Sequence, residues 1–242
     1  MQRISERLLG LVLTGVIGMS ATAQAELPVE IDVDVDYVTH YIWRGYDITD
    51  GFALPVQPGV TVSHASGLSF NVWGSWALLD RDDTKAGDEI DLTLDYTTNI
   101  NEKLSVFGGF IYYVFPNQSS ARTSELYLGA GYATLFSPSV AVFYDHERLD
   151  KDGFEDSGFY FLLAGEYSVP AFGHSLDLGA SLGLAHNDAF SGFQDFNVTA
   201  GTSIPLGPLT ISPFAAFTGI LESSVNQDDF EVFGGLTVSY SF

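Results

Sequence analysis

From about residue 30 to Phe242, apolar and polar residues alternate with a period of two through nearly every segment. That period sends successive side chains to opposite faces of an extended strand and leaves no 3.6-residue stripe for a helix to bury. Ile90-Asp91-Leu92-Thr93-Leu94-Asp95-Tyr96 shows it most clearly; Ser175 to Leu184 repeats it with small residues on the second face, and Glu30 to Asp36 reads Glu-Ile-Asp-Val-Asp-Val-Asp. The fold class is all-β.

Breaks in the alternation divide the chain into twelve predicted strands near 30–45, 55–65, 67–79, 88–100, 103–115, 123–136, 138–148, 157–169, 174–186, 192–204, 208–221 and 229–242. The connections fall into two alternating classes. Tight turns are expected around Ser66-Gly67, Asn101-Glu102, Ser137-Pro138, Ala171 to Gly173 and Gly207-Pro208. Longer polar loops are expected at 46–54, 80–87, 116–122, 149–156, 187–191 and 222–228. Short turns at one end and long loops at the other characterise a transmembrane up-and-down antiparallel β-barrel with short periplasmic turns and longer extracellular loops.

The first residues agree with that destination. Arg3 and Arg7 precede an apolar run from Leu8 to Met19, and Ala23-Gln24-Ala25 offers a small-x-small cleavage pattern. The run is too short for the roughly 20 residues of a spanning helix, so residues 1–25 read as a signal peptide and 26–242 as the barrel domain. The expected location is a bacterial outer membrane.

Face assignment separates a barrel from a soluble sandwich. Leu92, Leu94, Leu176, Leu178, Leu182, Val238 and Tyr240 form one apolar class, while the opposite face carries Gly, Ser, Thr, Asn and acids. Aromatics fall near both strand ends: Tyr41, Trp43, Trp76, Tyr112 and Tyr144 on the loop side, and Tyr96, Tyr132, Tyr167, Tyr240 and Phe242 on the turn side. Amphipathic rings collect where a barrel meets headgroups. Tyr240 and Phe242, sharing the apolar face of the last strand, read as a C-terminal signal for the barrel-assembly machinery.

The charge is lopsided, with 9 Lys and Arg against 31 Asp and Glu. Removing residues 1–25, which contain Arg3, Arg7 and Glu6, leaves 7 against 30. Such a surface repels nucleic acid and draws cations. Alternation places Asp32, Asp34, Asp36, Asp91, Asp95, Glu125, Asp145, Glu147, Glu166, Asp177, Asp195 and Glu231 inside the barrel, with Arg44 the one clearly inward strand cation. Arg44 is expected to pair among Asp32, Asp34, Asp36, Asp91 and Asp95 and brace the mouth, since an unpaired interior charge is costly; a selectivity or ligand-binding residue is the other reading. Acidic pore linings favour cations. Trp73, Phe107, Tyr113, Tyr127, Phe143, Tyr160, Phe214 and Phe233 share this inner face and would narrow or close the lumen.

Thr39-His40-Tyr41-Ile42-Trp43-Arg44-Gly45, followed by Thr49, Pro55, Gln57 and Gly59, resembles the start of the TorF-type porins. The likeness continues through Ser63 to Gly67, Val72 to Ser75, Asp88 to Leu92, Tyr112 to Pro116 and Glu125 to Gly129. The resemblance implies an outer-membrane transport barrel and names no solute.

The functional expectation is a narrow, cation-preferring channel for passive diffusion of ions or small solutes. A non-conducting structural or adhesion barrel is the alternative; a lipid-modifying enzyme is the third class weighed, and catalysis is not expected. His40, His64, His146, His174 and His186 show no nucleophile–base pairing in the sequence. The acidic loop from Asp145 to Asp156 lacks calcium-loop spacing and reads as solvated, although divalent bridging to lipopolysaccharide fits its charge. No cofactor or metal site is read; the expected partners are outer-membrane lipid and lipopolysaccharide, the assembly machinery and small cations.

Overall fold

A computed structural model describes residues 29–49, 53–79, 87–118, 122–145, 157–171, 173–186, 191–221 and 230–242. The expected leader and all of the acidic loop after Asp145, residues 146–156 with His146 and Glu147 among them, lie outside the described residues.

The strands are β1 (Val29–Val38), β2 (Ile42–Trp43), β3 (Tyr46–Asp47), β4 (Pro55–His64), β5 (Leu68–Ala77), β6 (Glu89–Asn99), β7 (Leu104–Val114), β8 (Arg122–Tyr132), β9 (Ser139–Asp145), β10 (Gly158–Ala171), β11 (His174–His186), β12 (Ser191–Gly201), β13 (Ile204–Leu206), β14 (Leu209–Ile220) and β15 (Phe230–Ser241). Twelve of them form the barrel wall, each hydrogen-bonded antiparallel to its chain neighbours. The wall closes where β1 pairs with β15, Val33 opposite Tyr240. Closure satisfies every strand edge, the condition for a sheet to sit in hydrocarbon.

The outward face is apolar, as the alternation required: Leu94, Phe110, Leu126, Leu128, Phe161, Leu163, Val198 and Val232 are all exposed. The tight turns use residues that tolerate a left-handed backbone, with Gly67, Gly173 and Gly207 all at positive φ.

The sequence reading fails at the first strand. β1 stops at Val38 rather than running to residue 45, and the chain leaves the wall to form the β2–β3 hairpin. Arg44 and Gly45 form its turn with φ of 49° and 88°, the two left-handed positions of a type I′ turn. Tyr41 and Trp43 therefore do not belong to an outer aromatic band. Tyr41 is buried, and Trp43 lies against the Arg44 guanidinium.

A second irregularity is a bulge in β12. Gly183 faces Asp195 and Leu184 faces Phe193, so Gln194 is the extra residue. Gln194 and Asp195 are consecutive yet both buried, while Phe193 stays exposed on the outside. A bulge re-aims side chains in this way.

Candidate functional site

Inside the wall the lumen has two different sides. On β7 to β11, Phe107, Ile111, Tyr113, Tyr127, Ala141, Phe143, Tyr160, Leu162 and Ala185 pack into one buried cluster. Across from it, β1, β4, β5 and β6 present Asp32, Asp34, Asp36, Gln57, Thr61, Ser69, Asp91, Thr93 and Asp95. The bulky side depends on small neighbours. A Cβ at Gly129 would collide with the Phe107 ring, and one at Gly183 with the Tyr160 hydroxyl and Asp195.

The β2–β3 hairpin lies between these sides. Its own bonds shape it: Ile48 N–H donates to the Tyr41 carbonyl at 2.8 Å, and Thr49 N–H and Oγ1 donate to Asp47 Oδ1 at 3.0 and 2.8 Å. His40 Nδ1 lies 3.0 Å from Asp47 Oδ2. On the polar side, Tyr41 donates its hydroxyl to Glu89 Oε2 at 2.6 Å and packs on Trp73 with ring centroids 5.6 Å apart. Burial first, and the Glu89 carboxylate second, push the Tyr41 phenol well above its ordinary pKa, so it remains a donor.

On the aromatic side the hairpin tip inserts Arg44. Its Nη1 and Nη2 donate to Glu125 Oε1 and Oε2, each at 2.8 Å, the fork-on-fork geometry of a strong ion pair. The guanidinium carbon lies 4.2 Å from the Tyr160 ring centroid, 4.5 Å from Trp43 and 5.0 Å from Phe143. Tyr113 also donates to Glu125, at 2.9 Å, and Tyr160 to Asp195, at 2.9 Å. Burial opposes the charge on Arg44, but the adjacent Glu125 carboxylate more than offsets it and holds the guanidinium above its ordinary pKa. The β12 bulge completes the seat, with Gln194 Nε2 donating to the Arg44 carbonyl at 3.0 Å. Gly45 approaches so closely that a Cβ there would lie 2.7 Å from Asp195 Cβ. The hairpin thus ties β6 to β8 and β12 across the lumen.

The structure brings some expected residues together and leaves others apart. Arg44 is on the hairpin turn and not on a strand of the wall, and its anion is Glu125, not an aspartate of β1 or β6. Asp91, Glu125 and Asp195 are buried around the hairpin. Asp95 accepts from Tyr127 at 2.5 Å and Thr97 at 3.0 Å. Asp145 accepts from Thr123 at 2.6 Å. Asp177 accepts from Ser168 and Ser175 nearer the turn end. Asp32 accepts from Ser241 on the neighbouring strand; Asp34 and Asp36 follow on the same face of β1. Glu166 and Glu231 are half-buried on the inner faces of β10 and β15. Tyr240 and Phe242 stack edge to face at 4.4 Å on the outside.

Sequence reasoning missed Glu89, although it shares the inner face of β6 with Asp91 and Asp95 and was legible by parity. It also missed two His–Ser contacts, His64 Nδ1 to Ser66 Oγ at 2.8 Å and His186 Nδ1 to Ser191 Oγ at 3.0 Å, both exposed.

The sequence profile of a bacterial family of unknown function, Gcw_chp, matches residues 22–223. The chain belongs to this family. No protein of curated function is detectably similar in sequence. Among solved structures, the chain is similar in fold to the NanC porin (13% identity, TM-score 0.51, covering 88% of this chain and 98% of that one). It is also similar to the KdgM porin in complex with disordered oligogalacturonate (13%, 0.52, 88% and 99%). An outer-membrane channel from Pseudomonas putida F1 matches at 13% identity and TM-score 0.51, over 94% and 100% of the two chains. At such identities the likeness is one of fold: an outer-membrane β-barrel.

Proposed function

We propose that this protein is a narrow, cation-preferring channel of the bacterial outer membrane that passes ions or small solutes by diffusion. The observation that carries the reading is the inner face. Asp32, Asp34 and Asp36 line β1 on one side of a closed barrel, while Arg44, the guanidinium that enters the lumen on the hairpin, is already neutralised by Glu125. The remaining field is negative and focused between low-dielectric walls, which raises local cation concentration. The fold shared with the NanC and KdgM porins and the TorF-type resemblance support transport rather than catalysis. On this reading residues 1–25 export the chain, Tyr240 and Phe242 engage the assembly machinery, and the outer loops meet lipopolysaccharide.

The buried aromatic cluster and the lumen-crossing hairpin favour a second reading, a non-conducting structural barrel. Planar-bilayer recording separates them. A channel gives discrete steps and, under a KCl gradient, a reversal potential of cation-preferring sign. Absence of steps both in the intact protein and after residues 40–48 are replaced by a short Gly-Ser linker sinks the channel and leaves the structural barrel. Anion preference overturns the charge assignment.

A further inference from the structure

The seat of Arg44 is built almost entirely by the wall. Tyr113, Glu125, Phe143 and Tyr160 come from four successive strands, β7 to β10, held in register by their ladders. The Tyr113 hydroxyl orients Glu125, and Asp195 orients Tyr160. Among the described residues that meet the guanidinium, only Trp43 is carried by the hairpin itself. We infer that this box is a binding site for guanidinium-bearing organic cations, and that Arg44 occupies it as an intramolecular stand-in that such a solute displaces.

Three observations carry the inference. The first is selectivity for a planar cation. A buried carboxylate accepting two parallel N–H bonds at 2.8 Å, with Tyr160 and Phe143 ring centroids at 4.2 and 5.0 Å, matches a flat, weakly hydrated, forked ion. A metal ion would instead demand several oxygen ligands, and the described residues hold no group of three or more metal-ligating side chains so arranged. The second is the cost of leaving the box empty. With Arg44 in place Glu125 is 1% exposed, and withdrawing the cation takes away both of its N–H donors and its counter-charge, leaving the Tyr113 hydroxyl as the donor the wall supplies. The third is the strain in the occupant. Arg44 sits at φ 49°, a left-handed position that costs a non-glycine residue and that hairpins of this type give to Asn, Asp or Gly. Its box contacts hold the turn in this shape, and a free solute making the same contacts would carry no such strain.

The hairpin joins the wall at the loop end, so that mouth is the side from which a solute would approach the box. The inference rests on the channel reading only for that arrival, and a binding measurement does not require current. Full-length protein in detergent is titrated with guanidinium chloride or agmatine at millimolar concentration, with potassium chloride and tetramethylammonium chloride as controls, by calorimetry and by thermal midpoint. Arg44→Ala empties the box and is expected to bind guanidinium saturably, at least tenfold tighter than the intact chain, in which Arg44 competes. Adding Glu125→Gln to that variant is expected to weaken binding about tenfold to a hundredfold, the worth of a charge-assisted bond. Absence of saturable binding to Arg44→Ala, equal affinity in the intact chain, or indifference to Glu125→Gln overturns the site. Should Arg44→Ala not fold, Arg44→Lys replaces it: its ammonium cannot fork, so guanidinium is expected to bind tighter than to the intact chain, and no gain overturns the proposal. A barrel that binds guanidinium but passes no current loses the channel reading and keeps the site.

Discussion

Glu125→Gln tests whether the hairpin is held by its ion pair or merely packed into the lumen. The substitution keeps size and one acceptor oxygen, but removes the charge facing Arg44 and turns an NH₂ toward the guanidinium. Both partners are secluded, with side-chain exposures of 14% for Arg44 and 1% for Glu125. Breaking a buried pair at one end costs about 3–5 kcal/mol. The amide oxygen still accepts one bond, and the rings around Arg44 remain, so a loss of about 2–4 kcal/mol is expected. The loss falls on local opening of the hairpin because the ladders of the wall are untouched. At about 1.4 kcal/mol per tenfold change, amide exchange across residues 39–49 should accelerate by roughly thirty-fold to several hundred-fold. The Ile48 amide, bonded to the Tyr41 carbonyl, is a direct reporter. Hydrogen–deuterium exchange read by mass spectrometry on the detergent-solubilised barrel resolves that segment from β7 and β8. Unchanged exchange at 39–49 would refute the ion pair as what holds the hairpin and leave packing in its place. Acceleration spread equally over the barrel strands would instead mean that Glu125 supports the wall.

Leu128→Arg tests the lipid-facing assignment. Leu128 is 63% exposed at the middle of β8, and a cation at the bilayer midplane costs about 2–4 kcal/mol; urea unfolding in lipid vesicles should show that loss, whereas a water-facing strand would show almost none. Gly183→Ala places a methyl group on the Tyr160 hydroxyl and Asp195. Overpacking there should lower unfolding stability by about 1–3 kcal/mol and loosen the hairpin as well, because Tyr160 backs Arg44; a Tm unchanged from the parent protein contradicts the packing described.

Much of this barrel is legible in the amino-acid sequence because one physical rule acts at every strand. Burial on one face and lipid on the other force a period of two, and Ile90 to Tyr96 or Ser175 to Leu184 can satisfy it in only one orientation. The twelve-strand order followed from where the period breaks. The same rule explains the errors. Tyr41 and Trp43 continue the parity of Val33, Val35 and Tyr37, so alternation did not register that β1 ends at Val38; only Arg44-Gly45 between two aromatic residues marked a turn. The β12 bulge left a trace, since Phe193 and Phe196 are both apolar yet three apart and cannot share the outer face of a regular strand.

What the sequence by itself determined is a closed, acidic-lined β-barrel, because strand periodicity and charge are local properties carried by neighbouring residues. What only the tertiary structure decided is the lumen: that the first loop folds inward, that Arg44 finds Glu125 at a separation of 81 residues, and that aromatic rings from β9 and β10 enclose the pair. Those partners meet because closure brings distant strands around a single interior. No local pattern encodes which of many inward carboxylates will stand where the hairpin tip arrives.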